Sequence, residues 1–342
     1  MKRKWLLYIV SVMVFYGVAV EWFCRKFIIS KNFLYFQVEA DRFPFFRLKD
    51  DYKENGVTIR EGRRELAPRG GRKHKIAFVG DSNTFGVGAA DESSYPELLQ
   101  SLQFSWDVYN FGVPGYGLPE VGAVVNRITR EGRYDIVAYN FNFNDLLVAM
   151  SGYLPLLSTE ENRIRIVDDF QGKYGRVKLF AKDHLKSMFL IRSLLEQKGD
   201  GEKTGPKKTD TCPSSSWAAS EPPIIYSYFD KLYSDEGALT KAAKYLQQMK
   251  DSVQAKGSRL VVFLHYDFPF FTSLSDVSIR RAKSLLQSLQ IDYWETFPIY
   301  SQHFQECEFY SDPGHLGALG NRHLAIELKK RLVGWEQSRP IP

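Results

Sequence analysis

Short apolar runs that alternate with amphipathic segments constrain the fold of this chain most strongly. The mostly apolar runs lie at 76–79, 108–111, 136–141 and 260–264, and helical patterns lie between them at 95–102, 121–130 and 238–253. Uncharged strands of this length are typical of parallel sheets, whose two faces are both covered by helices. The alternation therefore predicts an α/β sandwich around a parallel sheet, closed by a C-terminal helix at about 323–335.

The basic charge of the chain is concentrated at its N-terminus. The 342 residues carry a formal net charge of +6, but residues 1–75 hold 17 Lys/Arg against 8 Asp/Glu, and residues 76–342 hold 29 against 32. No nucleic-acid-binding motif accompanies the basic segment, which argues against a nucleic acid partner. We interpret the charge as that of a membrane-proximal region whose partners are anionic lipid headgroups.

An apolar stretch near the N-terminus predicts a transmembrane helix. The run from Trp5 to Val20 is uncharged, and Glu21 would lie near the far headgroups. The 20 residues from Trp5 to Cys24 suffice to cross a bilayer as a helix, and basic residues stand on both sides of them. We expect an uncleaved anchor over 1–26, with the N-terminus in the cytoplasm and the catalytic domain periplasmic or outside the cell. A cleaved signal peptide is one alternative, with a marginal cut site around Ala19. A buried soluble helix is the other, disfavoured because no polar face interrupts the run.

Composition divides the rest of the chain into a linker, a main domain and a tail. Residues 27–74 are rich in basic and aromatic residues and are predicted to be a membrane-proximal linker, and the main domain covers 75–335. An insertion at 151–223 interrupts that domain, and its polar part at 198–223 is predicted to be a mobile loop. Residues 336–342 form the tail. Of the three cysteines, Cys212 and Cys307 could pair in an oxidising compartment or stay free.

Two short motifs predict a serine nucleophile and its base. A Gly-Asp-Ser sequence ending at Ser82 follows the first predicted strand, and ligand-binding side chains gather where parallel strands end. Asp312 and His315 stand three residues apart, separated by Pro-Gly, before the last helix. A serine hydroxyl needs a histidine base that a carboxylate holds in position. Each motif alone is ordinary turn sequence, so the prediction depends on their combination.

In combination, these motifs resemble the sequence blocks of the SGNH (GDSL-type) hydrolases. Gly-Asp-Ser at Ser82 matches the first block, and Asn-Phe-Gly-Val-Pro-Gly ending at Gly115 resembles the second. Asn-Phe-Asn-Asp, which contains Asn144, resembles the third block, and Asp312-x-x-His315 matches the last. The blocks occur in the order of that family over about 75–335. The resemblance implies a three-layer α/β/α sandwich with a flavodoxin-like parallel sheet.

The resemblance also implies roles for individual residues. Ser82 would attack a carbonyl carbon, His315 would move the proton, and Asp312 would orient the imidazole. The backbone N–H groups of Ser82 and Gly115, with the side-chain amide of Asn144, would form an oxyanion hole for the developing negative charge.

The function that the resemblance implies is that of a serine esterase. Such an enzyme would hydrolyse acetyl or other acyl esters of a carbohydrate or lipid through an acyl-enzyme, without a cofactor. We expect Asp81 and Asp145 to fix loops by accepting backbone hydrogen bonds. The histidines show no His-x-x-x-His or Glu-x-x-His spacing, which argues against a catalytic metal. Two alternatives stay open: an O-acyltransferase acting on an exported polysaccharide, and a catalytically silent scaffold or binding protein of the cell envelope.

Overall fold

The computed structural model describes residues 36–38, 46–48, 50–54, 57–66, 71–87, 89, 91–102, 105–146, 229–271 and 276–338. The chain divides into two units, one of 1–37 with 149–209 and one of 38–148 with 210–342. Except for residues 36 and 37, all described residues lie in the second unit. The predicted anchor at 1–26 and the predicted insertion at 151–223 lie outside the described residues. Within the described ranges, no helix combines the length and apolar character needed to cross a membrane.

Twelve strands and eight α-helices, with three short 3-10 turns, make up the described part of the chain. The strands are β1 (Phe36–Val38), β2 (Phe46–Leu48), β3 (Tyr52–Glu54), β4 (Val57–Arg60), β5 (Arg63–Arg64), β6 (His74–Gly80), β7 (Trp106–Gly112), β8 (Ile136–Asn142), β9 (Arg259–His265), β10 (Asp292–Glu295), β11 (Tyr310–Asp312) and β12 (His315–Leu316). The helices are α1 (Ser82–Phe85), α2 (Tyr95–Leu102), α3 (Leu118–Glu131), α4 (Phe229–Ser234), α5 (Glu236–Gln254), α6 (Val277–Ser288), α7 (Phe297–His303) and α8 (Ala318–Ser338). The 3-10 turns are Asp91–Ser93, Phe143–Leu146 and Phe268–Phe271.

Five parallel strands lie next to one another in an eight-stranded sheet, in the order β7-β6-β8-β9-β10. This is the flavodoxin-like order. The connection from β6 to β7 and the connection from β7 to β8 run in opposite directions along the sheet. Because parallel crossovers are right-handed, the helices of these two connections lie on opposite faces. The predicted α/β/α sandwich is thus confirmed for the described residues.

The core lies between this sheet and the two helical layers. All seven residues of β8 are buried, as expected for a strand covered on both faces. Phe78 of β6, Tyr95 of α2 and Phe263 of β9 pack edge to face and join the sheet to one helical layer. The four predicted strands are the centres of β6, β7, β8 and β9. The last helix continues to Ser338, so the predicted tail begins inside it.

The described part of 27–74 differs from the predicted linker. Its strands β3, β4 and β5 are antiparallel, and β5 pairs with β7, so the three strands extend the sheet. The Arg64 side chain on β5 is 1% exposed and donates hydrogen bonds to the carbonyl oxygens of Phe85, Gly86 and Ala89. Arg64 is therefore not a solvated charge: it is buried, and its hydrogen bonds connect β5 to the end of α1 and the loop that follows.

Replacing Arg64 by Met is expected to lower the free energy of unfolding by about 3 kcal/mol, because buried carbonyl oxygens lose a charged donor. Arg63→Met on the same strand is the matched control, since Arg63 pairs with an exposed Glu61 and stacks over Tyr109. We expect that control to cost about 1 kcal/mol or less. Chemical denaturation of both variants measures the difference, and equal losses would contradict the role given to Arg64.

Candidate active site

The loops after β6, β7 and β8 begin at the same edge of the sheet. Gly80, the last residue of β6, pairs with Gly112 at the end of β7 and with Asn140 near the end of β8. The connections that leave β6 and β8 run in opposite directions. In open parallel sheets such a switch point creates a crevice at the carboxyl ends of the strands. Ser82 and Asn144 follow the two strands that border it.

A tight turn between β6 and α1 positions Ser82. Gly80 has a φ of 155°, and a Cβ at this residue would lie 2.3 Å from Thr84 Oγ1, so the turn requires glycine. The Asp81 carboxylate accepts a hydrogen bond from the Asn83 N–H at 2.9 Å and thereby caps α1. Ser82 is the first residue of this helix, where backbone N–H groups have no acceptor within the helix. The Ser82 N–H is therefore left for an acceptor from outside.

Ser82, His315 and Asp312 form a chain of hydrogen bonds. The Ser82 hydroxyl donates to His315 Nε2 at 2.9 Å, and His315 Nδ1 donates to the two Asp312 carboxylate oxygens at 2.8 and 2.9 Å. The Gly314 N–H donates to Asp312 Oδ1 at 2.8 Å, and the Asn83 side chain donates to the Gly314 carbonyl at 3.0 Å. The hydrogen bond from Asn83 thus connects α1 to the turn that carries Asp312 and His315. The three residues predicted for this role stand within hydrogen-bonding distance.

The acid and the imidazole shift each other's pKa in opposite directions. Burial disfavours the charged form of His315, but the hydrogen bond and the charge of Asp312 outweigh it, so the pKa of His315 is raised above 6.5. Burial likewise opposes ionisation of Asp312, yet its hydrogen bond to His315 lowers the net pKa of the carboxyl. The pair therefore stabilises an imidazolium on His315, the species that forms when a serine proton is taken up.

The other two predicted oxyanion donors lie in the loops after β7 and β8. Gly115 is exposed in a turn and has a φ of 81°, a conformation that favours glycine. Asn144 is half-buried in the 3-10 turn Phe143–Leu146. Neither the Gly115 N–H nor the Asn144 side chain donates a hydrogen bond to any residue in the described ranges. Both donors are therefore available to an external acceptor.

The two acids predicted to support loops are fully enclosed. Asp81 caps α1, and Asp145 accepts hydrogen bonds from the Tyr139 hydroxyl at 2.6 Å and from the Asn142 N–H at 3.1 Å. Burial raises the pKa of both carboxyls, and the Asp81 charge adds to the rise at Asp145. Asp145 thus holds the start of the turn that carries Asn144.

Sequence reasoning did not assign a role to Asn142 and Asp267, which also shape the Asn144 turn. Asn142 Oδ1 accepts a hydrogen bond from the Asn144 N–H at 3.3 Å, and Asn142 Nδ2 donates to Asp267 Oδ1 at 3.1 Å. Asp267 follows β9 as Asn144 follows β8, so the rule that polar residues gather at strand ends would have found it. Asn142, by contrast, is the last residue of β8, a strand that is buried throughout, and so it does not follow a strand as Asp267 does.

His265 at the end of β9 is a buried neutral imidazole. Its Nδ1 lies 3.3 Å from the Tyr300 hydroxyl and its Nε2 lies 3.7 Å from Asp267 Oδ1. Burial first, and then the charge of His315, lower the pKa of His265 to about 3. His265 therefore adds no positive charge beside the site, and His315 is the imidazole within reach of Ser82.

Comparison with known proteins gives matches among solved structures alone. No protein-family model matches the chain, and no curated protein matches it. A lipolytic protein of the G-D-S-L family from Veillonella parvula is 10% identical over 75% of this chain and 96% of its own, with a TM-score of 0.42. A catalytic mutant of the acetylxylan esterase Axe2 from Geobacillus stearothermophilus is 12% identical over 77% and 95%, also at 0.42. The esterase EstA from Pseudoalteromonas sp. is 9% identical over 78% and 100%, again at 0.42. These three solved structures are thus a lipolytic protein and two esterases.

Proposed function

We propose that this chain is a serine esterase that hydrolyses acyl esters, with Ser82 as nucleophile, His315 as general acid–base and Asp312 as the residue that orients the imidazole. The observation that carries the proposal is the chain of hydrogen bonds from Ser82 Oγ through His315 to Asp312. It supplies a nucleophile, a base in direct contact with it and a carboxylate that fixes the base.

The first half of the reaction transfers the acyl group to the enzyme. Ser82 Oγ attacks the ester carbonyl carbon while its proton passes to His315 Nε2, which is already 2.9 Å away. A tetrahedral intermediate forms with negative charge on the former carbonyl oxygen. His315 then protonates the departing alcohol oxygen as the carbon–oxygen bond breaks, and the acyl group remains on Ser82.

The second half releases the acid. His315 takes a proton from a water molecule that attacks the acyl carbon, and then returns that proton to Ser82 Oγ as the bond to the enzyme breaks. In both halves the oxyanion would be held by the N–H groups of Ser82 and Gly115 and by the Asn144 amide. Donors fixed in advance stabilise this charge without reorganising during the reaction.

Replacing Asn144 by Ala is expected to lower kcat by roughly 10²- to 10³-fold with little change in KM, because the lost donor acts on the transition state. Steady-state kinetics on a soluble ester measures both constants. Asn126→Ala is the control, since Asn126 lies on α3 and accepts a hydrogen bond from Ser252. An unchanged kcat in the Asn144 variant would remove this residue from the oxyanion hole.

We further propose that the enzyme is held at the membrane by residues 1–26 and works outside the cytoplasm. The mostly apolar stretch from Trp5 to Cys24, uncharged as far as Val20, and the basic residues on both sides of it support the anchor. Cys307 is disulfide-bonded, which fits an oxidising compartment. Cys212, which the sequence leaves either paired with Cys307 or free, lies outside the described residues. Protease accessibility of the C-terminus in intact spheroplasts tests this orientation, and full protection would overturn it.

For the substrate we propose an acyl ester, most simply an acetyl ester, of a carbohydrate or lipid. The test compares nitrophenyl esters of increasing chain length with acetylated oligosaccharides, using the full chain and Ser82→Ala. Preference for acetyl groups on sugars supports a carbohydrate substrate, and preference for long chains supports a lipid. Transfer of the acyl group to an added sugar in place of release as free acid would identify an O-acyltransferase. No turnover of any ester would favour a silent scaffold.

A further inference from the structure

Three side chains of metal-binding type meet between α7 and α8, namely His303, Glu306 and His323. One potential ligand atom from each lies within 4.8 Å of the other two. His303 Nδ1 is 2.5 Å from Glu306 Oε1, and the rings of the two histidines are stacked with their centroids 4.0 Å apart. This set has no part in the serine chemistry proposed above.

The fold brings these residues together from two separate places in the sequence. The Glu306 N–H donates to the His303 carbonyl at 2.8 Å, so the acid stands one turn beyond the end of α7. Further along, the Gly317 N–H donates to Phe309 and the Leu319 N–H donates to Glu308, which fixes the start of α8 against this turn. His323 then projects from the next turn of α8. The spacing of 20 residues between the histidines explains why no sequence pattern signals the set.

The charges of the set favour a bound cation. A neutral imidazole coordinates a metal ion through the lone pair of its unprotonated ring nitrogen. Glu306 supplies a negative charge, and its side chain is half-exposed, so an ion can reach it from solvent.

We propose that His303, Glu306 and His323 bind one Zn²⁺ ion, with water as the fourth ligand. Two imidazole nitrogens, one carboxylate oxygen and a water form a set that zinc accepts in tetrahedral geometry. Around a zinc with ligand bonds of about 2.0–2.1 Å, ligand atoms stand roughly 3.3 Å apart. The ligand atoms of the set lie within 4.8 Å of one another, so side-chain rotations would bring them around the ion, with the metal replacing the hydrogen bond between His303 and Glu306.

Such an ion would restrict the movement of the turn that carries the proposed acid and base. Asp312 and His315 both lie in the chain between Glu306 and His323, on β11 and β12. A metal that joins the two ends of this stretch restricts it without touching Ser82. The role is therefore structural, and it stands whether or not the chain is an esterase.

The test is a zinc titration of the full-length chain, purified without a histidine tag and in competition with a chromogenic chelator at slightly alkaline pH. We expect one equivalent of Zn²⁺ to bind. His303→Ala and His323→Ala should each weaken binding by at least 10- to 100-fold, the range seen even for the loss of groups that only support a ligand. Glu306→Gln, an exposed and shape-preserving change, should also weaken it, whereas Glu308→Gln two residues on should not.

A second measurement separates ligation from misfolding. Saturating Zn²⁺ should raise the Tm of the wild-type chain by roughly 5 °C and leave that of the His323→Ala variant unchanged. The Ser82→Ala variant should bind zinc as the wild type does, so failure of the esterase proposal would leave this result intact. Absence of stoichiometric binding, or equal affinity in a folded double histidine variant, would overturn the zinc site.

Discussion

Replacing Ser82 by Ala is expected to lower kcat for a small acetyl ester by at least about 10⁴-fold, the largest effect of any single change in the described part of the chain. Removal of the nucleophile abolishes the acyl-enzyme route and leaves the residual rate that binding and the oxyanion donors provide. The methyl group of Ala fits where the serine Cβ stands, so the fold should survive. Steady-state turnover, with Tm as the measure of folding, checks both parts of the expectation.

The matched control for this variant is Ser288→Ala. Ser288 is exposed at the end of α6, and its hydroxyl donates to the carbonyl of Leu285 within the same helix. We expect wild-type turnover from this control. If Ser82→Ala retained turnover comparable to that of the control, the nucleophile would have to be sought elsewhere in the chain.

Replacing Asp312 by Asn is expected to lower kcat by roughly 10³- to 10⁴-fold while the fold persists, because the amide no longer holds His315 in the tautomer that accepts the serine proton. The pH profile gives a second readout. In the wild type kcat/KM should fall on acidification through a pKa above 6.5, since His315 must be neutral to act as a base and Asp312 raises its pKa. Without that carboxylate burial dominates, and the acid limb should move to lower pH.

Asp251→Asn serves as the control for the loss of a carboxylate. Asp251 is exposed on α5, where it accepts a hydrogen bond from Gln247. Its replacement should change neither kcat nor the pH profile. An acid limb that stays in place in the Asp312 variant would mean that His315 does not carry the essential proton.

The central sheet and the residues at its edge could be predicted from the sequence because each leaves a local pattern. Buried parallel strands are short apolar runs, and the four runs predicted as strands coincide with β6, β7, β8 and β9. Ser82 and Asn144 each stand two residues after the end of such a strand, and the order of the motifs then indicated which loops meet. Asp312 and His315 are only three residues apart, so their pairing is also local.

The remaining features depend on contacts between distant residues, which no local pattern encodes. Strands β3 to β5 are short, partly exposed and rich in charge, and they are stabilised by pairing with β7 and by the buried Arg64. Strand β10 has the sequence Asp-Tyr-Trp-Glu and lies at the sheet edge, so it lacks the apolar run of its neighbours. The contact of Asn142 with Asp267 and that of His303 with His323 likewise join separate parts of the chain.

Labelling with a serine-directed fluorophosphonate tests the identity of the nucleophile most directly. Attack by Ser82 Oγ forms a bond to phosphorus and expels fluoride, and His315 takes up the proton. Intact mass and peptide mapping should show one adduct per chain, on Ser82, that is absent from Ser82→Ala and slow to form in Asp312→Asn. No adduct on the folded wild-type chain, or an equal adduct on Ser82→Ala, would contradict the assignment of Ser82 as the nucleophile.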